Sequence, residues 1–251
     1  MNNIRTSVCR NSFELPEGDR LRDVCPVLVA HGTRSAHGVA VIAQIAEAVS
    51  ARVGLTRTAF VDVLGPTPSE VIGAAERPAV LVPAFLASGY HVRQDLPEHV
   101  AHAGRADTIV TRAMGPDPAI AAVTRKRLVQ AGWAPGDAVV LAAAGSSDSS
   151  ACAEVHRSAR QLEALIGGHV EVGFITTATP SVPEAVARAR RNGRRVVIAA
   201  HLLAPGLFHE RLYTYGADAV SQPLGADPRI ADLIVTRMRA AVSPYRHQRA
   251  S

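Results

Sequence analysis

Short, nearly continuous apolar runs alternate along this chain with longer alanine-rich segments. In the first half the runs fall at 26–30, 58–64, 79–86 and 107–112. The longer segments fall at about 37–53, 68–76, 94–103 and 117–131. Runs this short and this apolar read as buried strands, and the segments between them read as helices. The second half follows suit, with runs at 138–143, 170–175, 195–200 and 217–222. Alternation of buried strand and helix predicts parallel sheets covered on both faces, joined by right-handed crossovers.

The two halves also repeat one another. VLVAHGTR (27–34) pairs with VLAAAGSS (140–147), and LVPAFLASG (81–89) with IAAHLLAPG (198–206). TRTAFVDVLGPTPSEVIGAA (56–75) resembles VEVGFITTATPSVPEAVARA (170–189), with Phe60 opposite Phe174 and Pro66 opposite Pro180. MGPDPAIAAVTRKRL (114–128) resembles LGADPRIADLIVTRM (224–238). Four blocks in one order, offset by 110–117 residues, indicate duplication of a unit the size of a small domain. The expected fold class is α/β: two tandem doubly wound parallel-sheet domains, at 23–133 and 134–243, with a cleft between them. Asp117–Pro118 and Asp227–Pro228 read as helix N-caps with proline in the first turn, a structural repetition.

Composition changes the picture at the ends. The chain carries +5, but Arg237, Arg239, Arg246 and Arg249 supply +4 of it in a stretch without Asp or Glu. The folded body is therefore close to neutral, and nucleic acid is not an expected partner. Residues 244–251 read as a basic tail, and residues 1–22, mixed in charge and without periodicity, as a mobile leader. Cys9, Cys25 and Cys152 form no CxxC pair and fit a reducing cytoplasm. No apolar run is long enough to span a membrane, and no secretory signal is legible, so a cytoplasmic protein is expected.

Ligands of open parallel sheets bind beyond the carboxyl ends of the strands. That edge of the first domain holds His31 at the end of the first run, Asp62 late in the second, and His91 just after the third. Two imidazoles and a carboxylate suit Fe²⁺, Co²⁺, Ni²⁺ or Zn²⁺. Placement alone leaves an ordinary loop role and a ligand role open. Ser146, Ser147, Ser149 and Ser150 lack a nucleophile elbow. No dinucleotide or Walker A glycine pattern is present, so no nucleotide cofactor is expected. The arginine run 188–195 falls at the amino edge, where a solvated turn is expected. His99 and His102 read as a solvent-facing helical pair.

VLVAHGTR, FVDVLGPTP and VPAFLASGYHVRQDLP together resemble the CbiX/SirB sirohydrochlorin chelatase family. The resemblance spans residues 25–240. It implies two chelatase-like domains, ATP-independent insertion of a divalent metal substrate, and a tetrapyrrole in the cleft. It implies that His31 and His91 bind metal and accept pyrrole protons. Asp62 stands where members commonly carry Glu, one methylene longer, as a candidate third ligand. Arg34, Arg93 and Gly89 are candidate tetrapyrrole contacts, the arginines through the substrate's carboxylates. In the second half Ala144, Thr176 and Phe208 replace His31, Asp62 and His91, so one active site per monomeric chain is expected. His201 and His209 fall out of register and read as loop histidines. The function implied is sirohydrochlorin ferrochelatase using Fe²⁺. Cobalt insertion for cobalamin synthesis is the runner-up, and a non-catalytic metal or tetrapyrrole carrier is the rival class.

Overall fold

A computed structural model describes residues 20–191 and 193–243. Strands β1 (Cys25–Ala30), β2 (Arg57–Phe60), β3 (Ala79–Pro83) and β4 (Ile109–Val110) form a parallel sheet in the order β2-β1-β3-β4. Strands β5 (Ala138–Ala143), β6 (Val170–Phe174), β7 (Val196–His201) and β8 (Ala219–Val220) form the same sheet again, β6-β5-β7-β8. The helices are α1 (Ala36–Val53), α2 (Pro68–Gly73), α3 (Leu96–Ala103), α4 (Pro118–Gln130), α5 (Ser149–Ile166), α6 (Val182–Arg190), α7 (Leu207–Leu212) and α8 (Pro228–Val242). This is the doubly wound, duplicated α/β arrangement that the apolar pattern predicts. No helix among the described residues is long and apolar enough to cross a membrane.

Side-chain alternation along the strands feeds two cores per sheet. In the first sheet Val27, Val29 and Leu81 pack on α2 and α3, while Leu28, Val80 and Val82 pack on α1. The partner of α1 on that face is α8, from the far end of the chain, through Ile230, Ile234 and Met238. Reciprocally, α4 packs beside α5 on the second sheet, where Leu128 joins Leu141, Leu162 and Val197. The last helix of each repeat therefore covers the other repeat's sheet. Reciprocal polar contacts pin the crossing. Arg237 bonds the α4 N-cap Asp117 at 2.8 Å and the Met114 carbonyl at 3.2 Å. Lys126 bonds the α8 N-cap Asp227 at 2.6 Å, and Arg127 bonds the Leu224 carbonyl at 2.7 Å. The boundary expected at 133/134 thus divides the sequence repeat but not the packing. Residues 228–242 belong to the first core, while α4 bridges the two, with Ile120 and Val123 in the first and Leu128 in the second.

The expected leader is also too long. Residues 20–23 form a 3-10 turn whose Leu21 is buried in the core that holds α8. Residues 1–19 and the basic tail 244–251 lie outside the described residues.

Candidate metal centre

The first sheet ends its central strand at Ala30, and His31 follows with its ring exposed. Gly32 has φ +96°, and a Cβ there would overlap the Asp62 carbonyl oxygen, so only glycine lets the two turns approach this closely. The Asp62 N–H donates to the His31 carbonyl at 3.0 Å. Strand β2, expected to reach residue 64, ends at Phe60 because the chain turns back on itself. Phe60 donates to the Pro66 carbonyl at 2.9 Å, and Val63 takes a positive φ of 67°.

His91 is reached by a different route. After β3 the chain turns at Gly89, whose carbonyl accepts from the N–H groups of both Val92 and Arg93 at 3.1 Å. His91 then opens a π-helical turn, residues 91–95, that runs directly into α3. Wide turns of this kind recur at functional sites. They place the His91 ring 4.4 Å from the His31 ring, centroid to centroid and nearly perpendicular. Phe85 stacks on the other side at 6.1 Å, and the exposed Tyr90 stands edge-on at 6.0 Å.

The i,i+4 geometry of the turn brings Asp95 to the His91 ring, with Oδ2 2.5 Å from Nδ1. A carboxylate can only accept here, so the Nδ1 proton is fixed and the lone pair of Nε2 is left for a metal. The sequence motif contains Asp95, but only the structure gives it this role. Its signal was the four-residue spacing from His91, which puts both on one face of a helical turn.

Asp62 does not join the histidines. Its carboxylate accepts from the Val63 N–H at 2.7 Å, and no group of three or more His, Cys, Asp or Glu side chains among the described residues is arranged to hold a metal. The turn after Phe60 sets the Asp62 side chain against its own loop. Gly89 and Arg93 meet the second half of the chain. Gly89 lies against Ser146 and Ala151 of the second half. Arg93 donates to the Ser88 carbonyl at 2.7 Å and lies 3.2 Å from Asp148. Both are committed to the seam between halves. Arg34 is exposed and makes no ion pair among the described residues.

The other nominated groups find structural roles. His209 is buried, with Nε2 3.0 Å from the Ser221 carbonyl. His201 is 4% exposed, has no partner on either ring nitrogen, and burial pushes its pKa down to about 4. His99 lies 3.3 Å from Ser69, and Ser146 and Ser150 bond Asp148 at the start of α5. Arg190 and Arg195 of the basic run pair with Asp218 and Asp137.

Two imidazoles at this spacing suit a borderline divalent metal, and a two-donor set leaves most coordination positions open. The profile of the CbiX family matches residues 26–131 and, a second time, 138–241. Among solved structures, SirB from Bacillus subtilis with Fe³⁺ superposes with a TM-score of 0.76 at 21% identity, covering 90% of this chain and 98% of that one. The sirohydrochlorin chelatase SirB from Bacillus subtilis subspecies spizizenii in complex with cobalt gives 0.73 at 20% identity, covering 90% and 98%. CbiX described as the terminal enzyme for biosynthesis of siroheme in denitrifying bacteria gives 0.65 at 23% identity, covering 88% and 100%. A comparison with curated protein sequences returns no match.

Proposed function

Because this chain belongs to the CbiX family, we propose that it is an ATP-independent sirohydrochlorin chelatase that inserts Fe²⁺ to make sirohaem. The observation that carries the proposal is the His31–His91 pair at the carboxyl edge of the first sheet, with ring centroids 4.4 Å apart. A metal held by two imidazoles can be passed on, whereas four protein ligands would close the shell.

Insertion exchanges one M²⁺ for the two protons of the macrocycle N–H groups. As the metal leaves a histidine for a pyrrole nitrogen, the freed imidazole lone pair is available to take a proton. Two ligands therefore match two protons in number, and imidazole is the side chain suited to exchange them near neutral pH. Asp95 keeps Nε2 of His91 as the donor. Phe85 and Tyr90 flank that ring, and the exposed Tyr90 and Val63 offer apolar surface beside it. The free guanidinium of Arg34 suits a carboxylate of the tetrapyrrole.

Cobalt insertion is the second reading, since solved structures on the same fold carry either metal. Both metals accept imidazole, so supply in the cell decides between them. The test is anaerobic absorbance of sirohydrochlorin with Fe²⁺ or Co²⁺. Wild type should accelerate insertion, and His31→Ala and His91→Ala should each lower the rate about 10²-fold, the scale of lost acid–base catalysis. Tight metal binding without acceleration of either reaction would instead mark a carrier.

A further inference from the structure

The duplication makes the seam between halves from two related contacts. On one side the loop after β3 (Ser88–Arg93) meets the start of α5, and Gly89 faces Ser146 and Ala151. On the other, Pro205 and Gly206 after β7 meet the start of α1, where Gly206 faces Thr33 and Gly38 lies against the Pro205 carbonyl. The backbone arrangement is the same, but the chemistry is not.

Among the described residues, only the side that carries His91 has a polar latch. The Ser88 N–H donates to Glu154 of α5 at 2.5 Å. Arg93 grips the Ser88 carbonyl at 2.7 Å and approaches the α5 N-cap Asp148 at 3.2 Å. In the related contact Ser88 becomes Pro205, which has no N–H, and Glu154 becomes Val41. Arg93 becomes Glu210 and Asp148 becomes Ser35. Donor and acceptor are thus present together on one side and absent together on the other. The Glu154 side chain is 12% exposed, with its other oxygen 3.4 Å from Arg157, so water does not readily replace the Ser88 N–H. The Ser150 hydroxyl and N–H, with Arg93 nearby, hold the Asp148 carboxyl below the usual carboxylate range and keep it charged.

We infer that Glu154 and Asp148, from the half that carries Ala144 and Phe208 where its neighbour carries His31 and His91, are positioning residues for His91, holding the Ser88–Arg93 loop so that His91 stays beside His31. The inference rests on the two-histidine metal reading above. The half that lacks the histidines then serves the reaction by fixing the ligand that its neighbour supplies.

The test uses the full chain with Glu154→Val, which copies Val41, and Glu154→Gln, which keeps an acceptor. Hydrogen exchange is followed in residues 86–96 and in β7, and Co²⁺ binding is followed by visible absorbance with His91→Ala as control. Glu154→Val should speed exchange in 86–96 but not in β7 and weaken Co²⁺ binding about tenfold, the size of outer-shell effects at metal sites. Glu154→Gln should restore most of both. Asp148→Asn should weaken binding in the same direction by about threefold, and it serves if Glu154→Val does not fold. Unchanged Co²⁺ affinity in Glu154→Val, or loss of protection in β7 as well, would overturn the inference alone. Wild-type Co²⁺ binding that is absent or indifferent to His91→Ala would overturn the two-histidine reading and the inference with it.

Discussion

At the end of β1 the chain presents His31, a glycine at φ +96°, and a bond from Asp62 N–H to the His31 carbonyl at 3.0 Å. At the end of β5 it presents Ala144, a glycine at φ +100°, and a bond from Thr176 N–H to the Ala144 carbonyl at 2.9 Å. The turns beyond match as well, with Val63 at φ 67° against Thr177 at 62° and capping boxes at Thr67–Glu70 and Ser181–Glu184. The backbone of the strand-end turns is retained in both halves, and the His31–His91 pair in only one. Turn geometry here is a property of glycine placement and capping, so it outlasts the side chains that use it.

The comparison can be pressed hardest at the helix crossing. Arg237 is 8% exposed on its side chain and is the partner of Asp117, so Arg237→Leu should cost about 3 kcal/mol by leaving that carboxylate without its ion pair. Arg127→Leu, at the related position, leaves Asp227 its bond from Lys126 and should cost only about 1 kcal/mol. Urea unfolding of both variants measures the difference, and equal losses would show that the two crossings are energetically alike.

A second test puts a residue of the first half into the second. His201 stands opposite Ala84 and is held neutral by burial, with a pKa of about 4. The unfolded chain protonates this group near its ordinary value of 6.5, so folding stability contributed by neutral His201 is lost as pH falls from 6.5 towards 4, by on the order of 3 kcal/mol. His201→Ala should flatten that slope in unfolding measured at several pH values. An unchanged slope would place the acid sensitivity elsewhere.

A third test concerns Asp95, whose counterpart is Leu212. Asp95→Leu should weaken Co²⁺ binding about tenfold, roughly 1.4 kcal/mol, while His31 and His91 remain. Affinity equal to wild type in a Co²⁺ titration would show that the His91 ring is held by Phe85 and Tyr90 without the carboxylate.

Much of this was legible in the chain. The apolar runs located every strand, and the repeated blocks located the duplication. His31 and His91 were legible because a parallel sheet gathers its strand ends at one edge, whatever their separation in sequence. The helix exchange was not legible, since the apolar face of α4 or α8 fits either sheet equally well. Nor was the fate of Asp62, which depends on where β2 stops, and an apolar run through Leu64 gives no sign that the chain turns after Phe60. Nor were the contacts of Arg93 and Gly89 with the second half, which exist only once both halves are in place.

The exchanged helices fasten the halves in a way that a single linker would not. The chain passes between them twice, ahead of α4 and ahead of α8, so each half is incomplete without a piece of the other. Cut between 133 and 134, the chain would give two fragments that each bare a sheet face and carry a helix made for a different one. Such fragments should recover a native core only when mixed. In the intact protein the same double tether forbids the halves from swinging apart like beads on a string and leaves them a small twist about the paired crossings. The spacing of the two halves is then set by the packing of α4 against α8.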